Sequence, residues 1–305
     1  MKAAWEESTA PDNWPMHLLI PFASTLAEGC RYALRDLELP NLSRLLARLT
    51  PTLREGGDEA SLTPPHERAL ASALGLHGAD GCVPWAARQA ALDGIETGDA
   101  AWGLLTPVHW HLAADHVGMG CPAELGLDEA GSRALLHAVR ESFESVGWRI
   151  AWGAPLRWYA AHESLRDLPC AAIDRAIGRS VDAWMPRDPR QAIVRRLQSE
   201  VQMQLYDEPI NDEREARGAL PVNSFWLSGC GAHQREAGAP ELKADDRLRA
   251  GALAEDWAAW AEAWRALDAG PLAALLQRAG RGEPATLTLC GERSAQRFEA
   301  APQSA

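Results

Sequence analysis

Four side chains between residues 108 and 119, in VHWHLAADHVGM, have the chemistry to hold a divalent metal: His109, His111, Asp115 and His116. His109 and His111 stand two apart, so on a strand they project from one face. With Asp115 or His116 brought across a turn, imidazoles and a carboxylate together could bind zinc. The competing expectation is two histidines hydrogen-bonded on a polar sheet face, with Asp115 making the turn. The spacing leaves both open. Six cysteines, Cys30, Cys82, Cys121, Cys170, Cys230 and Cys290, include no CxxC spacing. They predict reduced thiols rather than a disulfide framework or a cysteine metal site.

A second stretch, residues 207–231 with the sequence DEPINDEREARGALPVNSFWLSGCG, has the order helix, turn, strand and glycine-rich exit. A charged helix end runs through Gly218 and Pro221 into the apolar run 222–227, after which come Ser228, Gly229, Cys230 and Gly231. Small residues past a strand let another backbone or a ligand come close. Ligands of α/β proteins bind at that carboxyl edge. The plainer alternative is a tight turn. No phosphate-loop lysine follows, so the usual nucleotide signature is absent.

The elements that must position these residues are read from periodicity. Residues 17–22, HLLIPF, make a first core strand that Pro21 ends early, and 40–49 a helix with Leu42, Leu45, Leu46 and Leu49 on one stripe. A polar loop is expected over 50–63. A helix opened by Pro64 and Pro65 follows over 63–76, then a turn and strand over 93–108. Asp128 caps a helix with Leu135, Leu136, Val139 and Phe143 inward. Residues 148–152 and 156–160 form two strands around Gly153 and Pro155. Residues 173–184 and 189–205 are helical, the latter with Ile193, Leu197, Val201 and Leu205 at intervals of four. An amphipathic helix with Leu253, Trp257, Trp260, Trp264 and Leu267 precedes a hairpin over 286–298. The first fifteen residues, with Pro11 and Pro15, read as a loose arm.

A chain of 305 residues predicts one large or two closely joined domains. Its 30 Lys plus Arg against 42 Asp plus Glu leave a net charge of −12, which argues against nucleic acid or an anionic membrane as partner. No segment reads as a signal peptide or a membrane span, so the expected compartment is the cytoplasm. Thirteen Trp stand against four Phe and three Tyr. Core filling is one account of that excess and a sugar or aromatic ligand site the other.

Asp207, Pro209, Asn211, Arg214, Gly218, Pro221, Asn223, Trp226, Gly229 and Gly231 fit the pattern that closes the inserted domain of archaeal-type, cofactor-independent phosphoglycerate mutases. The chain resembles that family there, with Glu208 for the usual His, Ser228 for a Trp and Cys230 for a Gln. As a whole it more closely resembles the bacterial regulatory protein RpfE family. The opening, with Pro40, Asn41 and Leu42 starting a helix after the first strand, is similar to the alkaline phosphatase superfamily, to which those mutases belong. The resemblance implies a metal-binding aspartate at the end of the first strand, where this chain has Ile20, Pro21, Phe22 and Ala23. It implies a serine nucleophile where this chain has His66, and a substrate-binding Arg where it has Gly103 or Leu104. A second substrate-binding Arg is matched by Arg157, which with Asn211, Arg214, Asn223 and Trp226 makes the implied ligand set. Past Gly231 the mutase core would continue for well over a hundred residues, whereas 74 remain here, with His233 their single histidine.

The expectation is an α/β fold: a reduced alkaline-phosphatase-like core lobe from residues 1–100 and 230–305, with an inserted α+β lobe from 101–229. The function expected is that of a non-catalytic regulatory or binding protein that takes a phosphorylated small molecule and needs no cofactor. One alternative is a divergent metal-dependent mutase or phosphatase holding zinc or manganese on His109, His111, Asp115 and His116. Another is a protein-interaction module using the tryptophan-rich helix, with a partner the sequence does not identify.

Overall fold

Residues 16–113, 115–185, 188–237 and 241–300 are described by a computed structural model. The proline-bearing arm expected over the first fifteen residues lies outside them. The first elements are β1 (His17–Ser24), α1 (Glu28–Arg35), α2 (Pro40–Leu46), β2 (Leu49–Gly56) and α3 (Pro65–Leu74). There follow α4 (Trp85–Leu92), β3 (Ala101–Val108), β4 (Trp110–Leu112), β5 (Val117–Met119), α5 (Glu129–Ser145), β6 (Arg149–Ala154) and β7 (Arg157–Ala161). After these come α6 (Ile173–Ala176), α7 (Val181–Trp184), α8 (Ala192–Tyr206), α9 (Pro209–Ala216) and β8 (Ser224–Ala232). The last are β9 (Leu242–Ala244), α10 (Arg247–Leu253), α11 (Trp257–Leu267), α12 (Ala273–Gly280), β10 (Thr286–Gly291) and β11 (Ser294–Ala300). The fold is α/β. No helix among the described residues is long and apolar enough to cross a membrane.

Two compact units divide the chain: the described residues within Met1–Glu59, Pro65–Gly75 and Ala237–Ala305, and those within Ala60–Pro64 and Leu76–Glu236. Residues 76–100, grouped with the first lobe on sequence, fall in the second unit. The reason is apolar burial, since Ala86, Ala87 and Ala90 of α4 pack against Trp102, Tyr159 and Ala161.

The first unit is built on a five-stranded sheet of order β2-β11-β10-β1-β9, with β1 parallel to both β10 and β9. Alternation along HLLIPF explains its position in the middle. Leu18 and Ile20 face Trp260, Trp264, Leu267 and Leu275, while Leu19 faces Ala69 of α3 with Cys290 and Ala295. Asp268 reaches the start of α2, accepting from the backbone N–H of Asn41 at 3.2 Å and of Leu42 at 2.7 Å. The Pro-Asn-Leu helix start therefore takes its cap from a residue more than two hundred positions away.

Two expectations are corrected here. The polar loop over 50–63 is in large part β2, an edge strand paired antiparallel with β11. An edge tolerates Pro51 and polar side chains because one side of it needs no ladder partner, and that hides its period. The tryptophan-rich helix is two helices. The chain turns at Glu255, with φ of 51°, and restarts where the Asp256 carboxylate accepts from Ala259 N at 3.0 Å. Gly251 lets α10 lie directly on the Trp260 backbone. The tryptophan face that could have met a partner is the packed one, with Trp260 and Trp264 buried.

The second unit holds a four-stranded antiparallel sheet, β6-β7-β3-β8. One face carries Leu105, Trp158, Phe225 and Leu227 under the buried stripes of α5 and α8. Each such fully buried side chain contributes roughly 2–3 kcal/mol. The α8 stripe is Val194, Leu197, Val201 and Leu205, with Ile193 at its margin. Asp128 caps α5 by accepting from Gly131 N at 2.7 Å. Ser132 accepts from the indoles of both Trp152 (3.0 Å) and Trp158 (2.8 Å) and donates to Pro155 O (2.8 Å). Three polar groups under the sheet are thereby satisfied.

The helix expected over 173–184 is instead two single turns, α6 and α7, separated at Gly178 with φ of 72°. The strand expected to stop at Leu227 runs on to Ala232, so the glycines lie inside β8 rather than beyond it. A side chain at Gly229 would meet Trp85 and Ala86, and one at Gly231 would meet Pro84. These glycines exist for close helix–strand packing.

Candidate functional site

The resemblance places chemistry at the carboxyl end of β1, where that strand and the first turn of α3 meet. There the Phe22 ring packs on the His66 ring with centroids 5.0 Å apart. Phe22 holds φ of 57°, unusual for a bulky residue, and its carbonyl accepts from the Trp260 indole at 3.0 Å. The pairing with β10 is irregular between Ile20 and Ser24. Nearby, the Glu292 carboxylate accepts from Leu26 N at 2.8 Å, and Arg293 pairs with Glu59 at 2.6 Å. Two divalent ions would need several carboxylates at this strand end. Ile20, Pro21, Phe22 and Ala23 supply none from their side chains.

A charged cluster lies elsewhere, in the second unit. Helix α4 ends at Leu92, and the next side chain, Asp93, turns toward β7. Arg157 donates to it twice, from Nε at 3.1 Å and Nη2 at 3.0 Å, and Tyr159 donates its hydroxyl at 2.6 Å. Gln89, one turn earlier, adds a donor at 3.3 Å. Arg157 and Tyr159 share a face because they stand two apart on a strand. A side chain at Gly153 would strike both the Asp93 carboxylate and the Tyr159 ring, so the gap across the neighbouring strand requires glycine.

Burial opposes ionisation of Asp93, but the bonds from Arg157 and Tyr159 outweigh it and hold the carboxyl below its usual range. Burial, then the bond to Asp93, push the Tyr159 hydroxyl well above its usual range. At neutral pH the cluster is a carboxylate, a guanidinium and a neutral phenol. The Asp93 side chain is 12% exposed and that of Arg157 38%. Nη1 of Arg157 makes no hydrogen bond among the described residues. A guanidinium fixed on one edge and open on another can accept a small anion without paying much ordering entropy.

The other members of the implied ligand set have backbone partners. Asn211 donates to Leu205 O and Val222 O, each at 2.8 Å, and accepts from Val222 N at 2.9 Å. Arg214 donates to Leu220 O at 2.9 Å and to Leu125 O. Both side chains are buried, and burial pulls the Arg214 pKa down. Asn223 accepts from Trp110 N (2.7 Å) and donates to Trp110 O (2.8 Å), while Trp226 donates to Ala171 O at 2.9 Å. Asn211, Arg214 and Asn223 thus brace the passage from α9 into β8. Trp226 lies opposite Thr106 on β3, and Arg157 precedes the Trp158–Leu105 pair on the other side of that strand.

The four candidate metal ligands occupy the β4–β5 hairpin and the bend before it. His109 Nδ1 bonds Pro221 O at 2.9 Å, and its ring stacks on His111 at 6.4 Å. Asp115 and His116 pair with each other at 2.7 Å on the exposed tip. Among the described residues no three His, Cys, Asp or Glu side chains are grouped to hold a metal ion.

Sequence reasoning missed Asp93, which it treated only as part of a turn. The one local signal was Arg157 and Tyr159, two polar tips on one face of an otherwise apolar strand, which require a buried acceptor.

No protein-family profile matches this chain, and no curated protein matches it. Among solved structures it is similar to a cofactor-independent phosphoglycerate mutase from Thermoplasma acidophilum, with 14% identity, TM-score 0.39, and 95% of this chain and 90% of that chain covered. It is also similar to a protein from Pyrococcus horikoshii, with 11% identity, TM-score 0.45, and coverage of 94% and 88%.

Proposed function

We propose that this chain is a non-catalytic relative of phosphoglycerate mutase that works as a regulatory or binding protein. The observation that carries the reading is the Phe22–His66 ring pair at the end of β1. Phosphoryl transfer of the mutase kind needs a nucleophile beside metal ions that neutralise phosphate charge. A phenylalanine ring at that place is neither a nucleophile nor a metal ligand. The ligand in this reading is a small phosphorylated anion held by Arg157, whose orientation Asp93 and Tyr159 already fix.

Calorimetric titration with 3-phosphoglycerate tests it, using wild-type protein and Arg157→Lys. Lysine keeps the charge but loses the fork. The expected result is measurable binding by the wild type and at least about tenfold weaker binding by the variant, the scale of one charge-assisted bond. Equal affinity in two proteins of equal thermal stability would remove Arg157 from the site.

A further inference from the structure

Cys170 and Cys230 are 60 positions apart in sequence, yet their sulfurs lie 3.6 Å from each other inside the second unit. Their surroundings differ in a way that suits a reactive pair. Cys170 lies in an extended loop segment and lines a small cleft with Met185, Gln191, Gln198 and Trp226. The Gln191 side-chain amide donates to its sulfur at 3.3 Å. Cys230 is fully enclosed, between Gly229 and Gly231, where β8 bulges against β3. Its bond with Cys170 and its burial raise its pKa well above the ordinary thiol value. Cys170 borders the cleft, and Cys230 is held directly behind it.

We propose that Cys170 and Cys230 form a redox-active dithiol that a small hydroperoxide converts to a disulfide. The Cys170 sulfur attacks the O–O bond; an S–O bond forms, the O–O bond breaks, and the departing oxygen takes the thiol proton. Cys230 then attacks the sulfenic sulfur, forming S–S and releasing the S–O oxygen as water with the second thiol proton. Two thiols and one hydrogen peroxide give one disulfide and two waters. Closing the gap to a bond of about 2.05 Å needs roughly 1.5 Å of movement. Cys82, close enough to raise the Cys230 pKa further, is the competing third thiol.

The test treats the full-length protein with stoichiometric hydrogen peroxide. The protein is then denatured without reductant, alkylated, weighed intact and peptide-mapped. The expected result is loss of two of the six alkylation sites, a peptide linking residues 170 and 230, and full recovery with dithiothreitol. Cys230→Ser should leave a sulfenic acid on Cys170 that dimedone traps, while the wild type gives no adduct. Six intact thiols, a linkage through Cys82, or sulfinic acid on Cys170 of the wild type would each overturn the proposal. The wild-type map needs no variant, so misfolding of a serine variant leaves the test standing.

Discussion

His17 in the first unit and Asp93 in the second are polar groups beside a sheet held in opposite charge states. In the first, His17 at the start of β1 is buried, bonds Thr288 Oγ at 2.8 Å, and has its pKa lowered to about 4 by burial and then by Arg297. In the second, Asp93 stays charged beside β7 because Arg157 and Tyr159 supply it with donors. Burial keeps His17 neutral; pairing keeps Asp93 ionised. The contrast bears on function, because the end of β1, where the resemblance calls for a metal-binding aspartate, carries Phe22 packed on His66 instead. The guanidinium that Asp93 holds lies on β7.

The contrast breaks most sharply at Asp93. Asp93→Ala leaves a half-buried guanidinium and a buried phenol without their acceptor and is expected to cost about 3 kcal/mol, read as a shift in urea midpoint at unchanged slope. A cost under about 1 kcal/mol would make the cluster incidental.

Acid separates the two units by pH window. His17 has a folded pKa below its unfolded value of 6.5, so its unfavourable protonation begins as pH falls below 6.5 and saturates below about 4. Stability should fall by about 2 kcal/mol between pH 6.5 and 5. Asp93 contributes at pH values above its unfolded pKa and loses that contribution only as pH drops below 3.8 through its depressed folded value. His17→Gln should therefore flatten the upper window and leave the lower one; an unaltered upper window would assign it to another group.

Gly153→Ala sharpens the comparison from the side of packing. Its methyl group pushes on the Asp93 carboxylate and the Tyr159 ring together, at an expected cost of about 1–2 kcal/mol. The same substitution at Gly94, where nothing lies within reach, tests backbone strain alone, because Gly94 has φ of 79°. Unchanged stability on Gly153→Ala would remove contact with Asp93 and Tyr159 as the reason for glycine there.

Much of the fold was legible because its signals are local. Alternation in HLLIPF, the capping aspartate before α5 and the four-residue stripe of α8 each carry their own period or cap. β2 was not, because an edge strand can be polar and contain proline. The signature around Asn211, Arg214 and Asn223 was visible as a pattern. Its physical work, bonding backbone groups between α9 and β8, depends on partners up to 113 positions away. Distance in sequence also hid Asp93, whose partners stand 64 and 66 residues on, and the Cys170–Cys230 contact. Periodicity reports which face is buried; it does not report which polar tips meet there.

The central claim is that this fold carries no phosphoryl-transfer chemistry at the end of β1. The direct measurement is a coupled assay for conversion of 3-phosphoglycerate to 2-phosphoglycerate, at high protein concentration with manganese supplied. The expected result is a rate equal to that of a protein-free control. Turnover that rises with protein and disappears on chelation would contradict the account, showing that metal ligands and a nucleophile lie somewhere other than the Phe22–His66 corner.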